Sequence, residues 1–303
     1  MAYNRLLLFV CIALFSVLYT EASEAAELEK RVSNSWYFSN WNKYKSDTIV
    51  GLTSQWNEKW KIPQHRGWLW AWSGYEDSNA AVKDPAKKNS DDYVLRVKYN
   101  AHSRNPEGSL TGGLGFLAEP ITVSKRAKTV SLQYSVYFPK NFDFVKGGKL
   151  PGVFGGNGEC TGGDESGSCF TSRLMWRDDG LGEIYAYLPH NRQRSDICDN
   201  KVNICNSDYG YSLGRGQFEF KKGAWTTVRQ VLTLNQVNKR NGRMILYVNG
   251  VKKVDIKNVV IRTSTTPNTV GIMFHTFFGG SDNTWATPKT QYSYFKNFKF
   301  QVN

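Results

Sequence analysis

The sequence lacks several features by which common classes of protein are recognised. Beyond an apolar run at its N-terminus, no segment of the 303 residues is long and apolar enough to span a membrane. No Asn-x-Ser/Thr sequon occurs, so N-glycosylation is not expected. A glycine-rich segment at 112–116 has neither the lysine nor the following helix of a phosphate-binding loop, which argues against nucleotide binding.

Histidine and acidic residues are also scarce. The four histidines, His65, His102, His190 and His275, do not form a recognisable triad with a serine, so a serine hydrolase is not expected. Lys and Arg number 39 against 26 Asp and Glu, which gives a formal net charge of +13. This charge favours an acidic partner, although exported nucleases and membrane-active proteins share it, and basicity can also serve solubility alone.

The first 25 residues have the pattern of a secretory signal peptide. Arg5 precedes an apolar run at 6–18, and small residues follow it. The run is too short to make a convincing membrane anchor. The dibasic pair Lys30-Arg31 is either the end of a short pro-segment or a solvated basic pair. We therefore predict a secreted, extracellular protein with a single domain over residues 32–303.

Cysteine is limited to five residues, of which one lies in the signal peptide. The remaining four, Cys160, Cys169, Cys198 and Cys205, are an even number in an exported chain and predict two disulfides. Pairing of sequence neighbours is the simplest of the three possible connectivities. A zinc site is not expected, because the spacings differ from those of zinc sites and no histidine pair accompanies them.

Period-two alternation of apolar and polar residues recurs along the chain and predicts β-strands. Asn249-Gly250 indicates one tight hairpin, and the turn at 178–180 indicates another. Polar segments at 78–92 and 191–215 are expected to be loops, the second stapled by a cysteine pair. The predicted strands cover 68–72, 93–99, 129–139, 174–176, 182–188, 225–234, 243–249, 251–256, 270–278 and 292–302.

These features predict an all-β fold. Many short strands with glycine-containing turns, and no long stretch of helical periodicity, are typical of a β-sandwich or jelly roll. Seven tryptophans between residues 36 and 72 are expected mainly in the core, with Trp68, Trp70 and Trp72 along one face of a strand.

Polar side chains at strand spacing are concentrated between residues 146 and 190. Thr171 and Arg173 are two residues apart, as are Tyr185 and Tyr187, and residues two apart point to the same face of a strand. If the two strands pair, one surface carries a hydroxyl, a guanidinium and two phenols, with Lys149 nearby. Each residue taken singly is more often solvated or packed, but their joint placement suits the binding of an anionic sugar polymer.

Four segments resemble the alginate lyases of herbivorous marine molluscs, which form part of polysaccharide lyase family 14. They are KGGKLPGVFGG (146–156), CFTSRLMWR (169–177), IYAYLP (184–189) and HTFFGGSDNTWATPKTQYSYFKNF (275–298). The resemblance implies a β-jelly roll, a two-sheet antiparallel sandwich with a substrate cleft on its concave sheet. It implies endolytic β-elimination of alginate with a preference for mannuronate blocks. We further predict a monomer in digestive fluid that needs no metal or cofactor and binds neither nucleic acid nor membrane.

The resemblance places the family's lysine, Ser-x-Arg pair and Tyr-x-Tyr pair on Lys149, Thr171, Arg173, Tyr185 and Tyr187. Thr171 departs from the pattern, since it keeps the hydroxyl of serine but adds a methyl group. The adjacent Ser172 has the opposite strand parity and is expected to point away from the site.

Elimination from a uronate needs a neutralised carboxylate, a base for the neighbouring carbon-bound proton, and an acid for the leaving oxygen. In one scheme Arg173 and Lys149 neutralise the carboxylate, and Tyr185 or Tyr187 acts as base and acid. A phenol has an ordinary pKa of about 10, so it needs nearby cations to act as a base. In a second scheme Lys149 is the base.

Further residues are expected to bind substrate, and two other functions compete with the lyase. Together with Thr171, we expect Lys146, Arg177 and His190 to contact the polymer. One rival function is a lyase for another polyuronate such as glucuronan, although the Gln-x-His strand motif of other jelly-roll alginate lyases is absent. The other is a lectin-like module that binds acidic polysaccharide without cutting it.

Overall fold

The computed structural model describes residues 34–45, 55–63, 67, 79–87, 89–106, 110–158, 160–206, 209–266 and 269–303. The predicted signal peptide, the dibasic pair, His65 and the predicted strand at 68–72 lie outside these residues. Within them the chain is almost entirely β-structure, as the sequence predicts. The strands are β1 (Ser35–Phe38), β2 (Ala80–Lys83), β3 (Tyr93–Tyr99), β4 (Leu114–Ala118), β5 (Thr129–Tyr137), β6 (Gly147–Gly156), β7 (Cys169–Arg177), β8 (Gly182–Tyr187), β9 (Tyr211–Leu213), β10 (Trp225–Thr233), β11 (Gly242–Val248), β12 (Val251–Val259), β13 (Val270–Phe278) and β14 (Gln291–Val302).

Helical structure in this part of the chain is confined to single turns. One α-helical turn, α1, spans Asn57–Trp60. The 3-10 turns are Trp41–Tyr44, Asp178–Gly180, His190–Arg192, Ser195–Cys198 and Asn283–Trp285. None of the described helices is long and apolar enough to cross a membrane.

The strands form two antiparallel sheets. The eight-stranded sheet has the order β12-β11-β10-β5-β14-β3-β2, and β1 pairs with the part of β14 that lies beyond β3. The six-stranded sheet has the order β4-β13-β6-β7-β8-β9. Because both sheets also pair strands that are distant in sequence, such as β5 with β14 and β6 with β13, they are complete only when most of the chain has folded. This architecture confirms the predicted jelly-roll sandwich.

The core lies between the sheets and is rich in aromatic side chains. Trp41, Trp56 and Trp60 are fully buried there, and the rings of Trp60 and Phe116 pack edge to face with centroids 5.3 Å apart. Edge-to-face packing satisfies the quadrupoles of the rings and adds about 0.5–1.5 kcal/mol per pair to the gain from burial. The prediction that these tryptophans are core residues is therefore confirmed for the described positions.

Two predicted loops contain regular structure. β2 lies within the polar segment 78–92, and it pairs with β3 along Ala81 and Leu95. The segment 191–215 contains two 3-10 turns and β9, which forms the edge of the six-stranded sheet. In both cases the strand is three or four residues long, so its alternation is too brief to be recognised in the sequence. The Asn249-Gly250 hairpin between β11 and β12 is as predicted.

Candidate active site

The register of the six-stranded sheet assembles the predicted residues on its outer face. In the pairing of β7 with β8, Thr171 lies opposite Tyr187, and Arg173 lies opposite Tyr185. In the pairing of β6 with β7, Lys149 lies opposite Met175. The alternate residues of β7, such as Leu174 and Trp176, point into the core. Strand parity therefore brings the lysine, the arginine and both tyrosines together.

Ser172 confirms this parity, because its side chain points to the opposite, inner face of the sheet. Its hydroxyl donates a hydrogen bond of 2.7 Å to Oε1 of Gln230, which belongs to β10 in the opposite sheet. Both side chains are buried between the sheets. Ser172 is thus a core residue that joins the two sheets and does not reach the outer face, as its parity predicts.

An irregularity in β6 positions Lys149. The pairing with β7 shifts register between Leu150 and Val153, across Pro151, which has no backbone N–H to give to a ladder. Gly148 precedes the lysine, and a side chain there would lie 2.1 Å from the ring of Trp176. The glycine therefore lets β6 approach the indole closely, which accounts for part of the glycine-rich motif.

Lys149 is almost withdrawn from water. Its side chain is buried, with Nζ 3.1 Å from Met175 Sδ and 3.7 Å from the centroid of the Tyr185 ring. Burial lowers the pKa of this amine well below its usual value, and the charges of Arg173 and Arg177 lower it further. A lysine in this environment holds its neutral form at a pH where an exposed lysine is protonated.

The two tyrosines form one wall of the site. Their rings pack edge to face with centroids 5.8 Å apart. Burial raises the pKa of Tyr185 above its usual value, the interaction with Tyr187 raises it further, and Arg173 opposes the shift only in part. The Tyr187 hydroxyl accepts a hydrogen bond of 3.2 Å from the backbone N–H of Gly163. The Tyr185 phenol therefore keeps its proton over the physiological range.

Arg173 lies between the tyrosines and a buried histidine. Its guanidinium carbon is 5.9 Å and 5.7 Å from the ring centroids of Tyr185 and Tyr187. Nη1 lies 3.3 Å from Nδ1 of His275, a residue of β13. Burial, together with the charge of Arg173, lowers the pKa of His275 well below its usual value. His275 is therefore a neutral imidazole that accepts a hydrogen bond from Arg173 through Nδ1.

His275 is 102 residues from Arg173 in the chain, so sequence spacing gives no sign of their contact. It lies in a part of β13 where the pairing with β6 is interrupted between Met273 and Phe277. The neighbouring irregularity in β6 carries Lys149. Bulged strands commonly redirect side chains next to active sites, and here two adjacent bulges present the lysine and the histidine.

Thr171 contacts the loop that rises beside the site. Its hydroxyl donates a hydrogen bond of 2.9 Å to the carbonyl of Cys160, and its side chain is fully buried. Cys160 is disulfide-bonded to Cys169, as predicted, and the second predicted bond, Cys198–Cys205, is also present. In this arrangement Thr171 fixes the loop next to Tyr187, and its added methyl group is accommodated without displacing the hydroxyl.

A buried carboxylate that sequence reasoning missed lies beside the site. Glu183 is fully buried on β8 and accepts hydrogen bonds of 2.6 Å from Arg177 Nη2 and 2.7 Å from Arg215 Nε. The hydroxyl of Ser212 donates to the same carboxylate. Burial would raise the pKa of Glu183, but its two arginines and these hydrogen bonds outweigh that effect and lower the pKa. Strand parity with Tyr185 was the signal that could have placed Glu183 on this face.

Ser212 occupies the centre of a Gly-x-Ser-x-Gly sequence at 210–214, a pattern associated with serine hydrolases. A nucleophile elbow requires a sharp turn from a strand into a helix. Ser212 instead lies within β9, and its hydroxyl is committed to Glu183. The motif is therefore not a nucleophile elbow.

The other predicted substrate-binding residues lie at different distances from this cluster. Arg177 borders it, with its guanidinium carbon 5.9 Å from the ring of Trp285. Lys146 is exposed, and its Nζ donates to Thr284 Oγ1 at 2.6 Å, in the turn that carries Trp285. His190 is not brought to the cluster, since its ring stacks on Tyr211, a core residue of β9, with centroids 4.7 Å apart.

A separate recess of about 550 Å³ is lined by Arg194, Asn203, Gly214 and Lys257, among others. It contains none of the residues predicted for the site. The chemistry described above lies on a sheet face flanked by loops, as expected for a site that receives a long polymer and not a small molecule.

The comparisons with known proteins agree with this geometry. A sequence profile described as polysaccharide lyase 14 matches residues 87–298. The crystal structure of an alginate lyase of the same family from Aplysia kurodai is 34% identical, covers 88% of this chain and 98% of its own, and superposes with a TM-score of 0.69. The alginate lyase vAL-1 from a Chlorella virus is 25% identical, covers 74% of this chain and 89% of its own, and has a TM-score of 0.61.

A curated relative extends the comparison to a larger protein. Exolysin of Paramecium bursaria Chlorella virus 1 is 30% identical over 191 residues, which are 55% of this chain and 28% of that protein. The chain therefore spans little more than a quarter of the length of this relative. The profile match covers well over half of the chain, and the resemblance noted in the four sequence segments is confirmed. This chain belongs to the polysaccharide lyase 14 family.

Proposed function

We propose that the protein is a secreted alginate lyase that cleaves the polymer endolytically by β-elimination, with a preference for mannuronate blocks. The observation that carries the proposal is the contact between a desolvated lysine and a protonated tyrosine, Lys149 and Tyr185, with Arg173 beside them. The similarity to alginate lyases from Aplysia kurodai and a Chlorella virus supports the choice of substrate. The two disulfides support an exported protein.

The chemical environments favour Lys149 as the base over either tyrosine. A neutral amine can accept the proton from C5 of the uronate, while Arg173 stabilises the negative charge that develops on the carboxylate. The C5 electrons form the C4–C5 double bond, and the bond from C4 to the glycosidic oxygen breaks. The Tyr185 hydroxyl donates its proton to that oxygen, and the ammonium of Lys149 returns a proton to the tyrosine afterwards.

The placement of the two groups bears on the block preference. In mannuronate the C5 hydrogen and the C4 oxygen lie on the same side of the sugar ring, whereas in guluronate they lie on opposite sides. Lys149 and Tyr185 are on one face of one sheet and in contact. A base and an acid that approach from the same side suit the mannuronate geometry.

The neutral His275 and the loop at 160–169 complete the mechanism as positioning groups. His275 holds Arg173 through Nδ1, which orients the guanidinium toward the outer face without adding a competing charge. The loop holds the Tyr187 hydroxyl through Gly163. Such fixed groups need no reorganisation when charge develops on the substrate.

An assay with four polymers tests the proposal. Purified protein is incubated with polymannuronate, polyguluronate, mixed alginate and glucuronan, and the ultraviolet absorbance of the new unsaturated sugar is followed. We expect the fastest rise with polymannuronate and early products of many lengths, as an endolytic enzyme gives. A faster rise with glucuronan would show that the enzyme is a lyase for that polymer. Binding of a polymer without any rise in absorbance would show that the protein is a lectin-like module and not a lyase.

A further inference from the structure

The strands of the eight-stranded sheet have an unusual charge composition. Their sequences contain one carboxylate, Asp255, against ten lysines and arginines. The basic residues are Lys83, Arg96, Lys98, Arg229, Arg243, Lys252, Lys253, Lys257, Lys296 and Lys299. Since the inner face of the sheet is the apolar core, most of this charge is displayed on the outer face, on the side of the sandwich opposite the candidate active site.

The register places part of this charge in one row across six strands. Tyr247 on β11 pairs with Lys252 on one side and with Arg229 on the other. The row continues from Arg229 to Gln133 on β5. It then reaches Lys299 on β14 and ends at Tyr37 on β1. We call Lys252, Tyr247, Arg229, Gln133, Lys299 and Tyr37 the cross-strand row.

The contacts along the row keep its cations directed outward. Arg229 lies over the ring of Tyr247, with its guanidinium carbon 4.3 Å from the centroid. Tyr37 is 59% exposed at the end of the row. The ion pairs within the described ranges include neither Arg229 nor Lys299. These two charges are therefore available to an external anion.

Asp255 does not cancel the charge of the row. It accepts hydrogen bonds of 2.7 Å and 2.6 Å from Arg243 and one of 3.2 Å from Lys252. Its hydrogen bonds with Arg243 hold the pKa of Asp255 at about 2, so it is neutralised as an ion pair and not by a proton. Arg243 and Lys252 together carry more charge than the carboxylate, which leaves the region positive.

The spacing of the cations fits one kind of polymer. Lys252, Arg229 and Lys299 belong to β12, β10 and β14, so they recur at every second strand of the sheet. Strands lie about 4.8 Å apart, which puts such cations about 10 Å apart. In an extended 1,4-linked uronate ribbon every second carboxylate lies on the same edge, at a spacing close to the length of two sugars. Gln133 and the ring of Tyr247, which lie between the cations, suit the hydroxyls and the C–H faces of the sugars.

We propose that the cross-strand row is a second, non-catalytic binding surface for acidic polysaccharide. It lies outside the machinery of elimination and goes beyond the proposed function. Its role is to retain the enzyme on long chains or on a gel of the polymer while the opposite face cleaves. The anion it recognises is the carboxylate of a polyuronate, and duplex nucleic acid is the competitor against which the test is designed.

The test measures retention in a polyacrylamide gel containing polymannuronate, in a Lys149→Met background so that the polymer is not cleaved. The row variant carries Arg229→Gln and Lys299→Gln. The control variant carries Lys125→Gln and Lys201→Gln, which removes the same charge from exposed loop positions off this sheet. With Lys149 intact, both variants are also assayed on a tetramannuronate too short to reach both faces.

We expect the row variant to bind the gel about tenfold more weakly than the control variant, because two charge contacts are lost. Its turnover of the tetrasaccharide should equal that of the control. Equal retention of the two variants would overturn the proposal. Equal competition by duplex DNA and by free polymannuronate, at matched anion concentration, would overturn it in favour of a nucleic-acid surface. Retention of the protein in the gel does not depend on cleavage of the polymer. If the wild-type protein lacked lyase activity, the proposed function would be refuted, but the gel would still decide whether the cross-strand row binds the polymer.

Discussion

At the scale of single residues, the site depends on how far Lys149 has been removed from water. The lysine keeps its length and reach, but burial against Met175 and the ring of Tyr185 takes away the solvation that makes an exposed amine a strong base. Burial has the opposite effect on the adjacent phenol, because it raises the pKa of Tyr185. In the proposed mechanism, two ordinary side chains thus become a proton acceptor and a proton donor because both are buried together.

The pH dependence of catalysis tests these roles. The pKa of Lys149 is lowered well below its usual value, so we expect kcat/KM to fall as the pH drops through that lowered pKa and the amine becomes protonated. Lys149→Met should reduce the rate by about 10³-fold and remove this acid limb. Tyr185→Phe should reduce the rate by about 10²–10⁴-fold but keep the fall in kcat/KM at low pH.

The decisive result is the profile of Tyr185→Phe. If Tyr185 were the base, loss of its hydroxyl would abolish the fall in kcat/KM at low pH, and Lys149→Met would keep it. Tyr294→Phe is a suitable control for the loss of a phenol, because Tyr294 lies on β14 of the other sheet and its ring packs against Tyr137. Its pH profile should match that of the wild type.

At the scale of elements, strands β7, β8 and β9 are held together on their outer face by Glu183. Its partners are Arg177 at the end of β7, Ser212 within β9 and Arg215 just after β9. The carboxylate is fully buried, so removal of its charge leaves two arginines without their partner. Breaking a buried pair in this way is costly, at about 3–5 kcal/mol.

We therefore expect Glu183→Gln to lower the free energy of unfolding by about 3 kcal/mol at pH 7, measured by urea denaturation. The pKa of Glu183 is lowered in the folded state, so its stabilisation is present above the unfolded pKa of about 4.3 and is lost as the pH falls through the folded value. The difference between variant and wild type should shrink below that pH. Glu219→Gln, at an exposed residue, is the control and should leave stability unchanged. A constant difference at all pH values would contradict this role.

The two disulfides should differ in what they support. The Cys160–Cys169 bond closes the loop that contacts Thr171 and Tyr187, whereas Cys198–Cys205 closes a loop in the segment before β9. We expect Cys160→Ser with Cys169→Ser to lower both stability, by about 2–3 kcal/mol, and kcat. Cys198→Ser with Cys205→Ser should cost similar stability and spare kcat. Equal losses of kcat in the two variants, measured below both unfolding temperatures, would show that the first loop has no special role.

The elements also show what could be predicted from the sequence. The hairpins β7–β8 and β11–β12 have long alternation and turn signals, and their face assignments for Arg173, Tyr185 and Ser172 follow from parity. β6 escaped recognition as a strand, because its glycines and Pro151 contradict strand propensity. The glycines are explained only by close approaches in the folded sheet, such as Gly148 to Trp176 and Gly155 to Phe170. Glu183 was missed because two of its partners, Ser212 and Arg215, lie in or just after β9, whose pairing no local pattern indicates.

His275 illustrates the same limit at longer range. Its role depends on β13 pairing with β6, more than a hundred residues earlier in the chain, and on the register shift in that pairing. Alternation predicts that β13 is a strand, but not which strand lies beside it. The resemblance to a known family predicted Lys149, Arg173 and the two tyrosines as site residues. His275 and Glu183 were identified only from the order of the strands in the sheet.

At the scale of the whole molecule, the two proposals assign different tasks to the charged residues on the two faces of the sandwich. On the candidate active face the charge of Arg173 is buried and held by His275. On the opposite face Arg229 and Lys299 are partly exposed and lie in register across the sheet. Buried charges are screened little by salt, while exposed charges are screened within about 10 Å at 0.1 M ionic strength. Ionic strength therefore acts mainly on capture of the polymer and only weakly on the elimination itself.

This separation predicts how the kinetics respond to salt. Between 0.05 M and 0.5 M sodium chloride we expect KM for long polymannuronate to rise about tenfold, because attraction between the exposed cations and the polyanion is screened. KM for tetramannuronate should rise much less, since so short a chain contacts the candidate active face alone, and kcat should change little for either substrate. The variant with Arg229→Gln and Lys299→Gln should show a shallower dependence on the long polymer and an unaltered one on the tetrasaccharide. Parallel salt dependences of KM for the two substrates would mean that the charge of the eight-stranded sheet takes no part in capture, and that the candidate active face alone determines affinity.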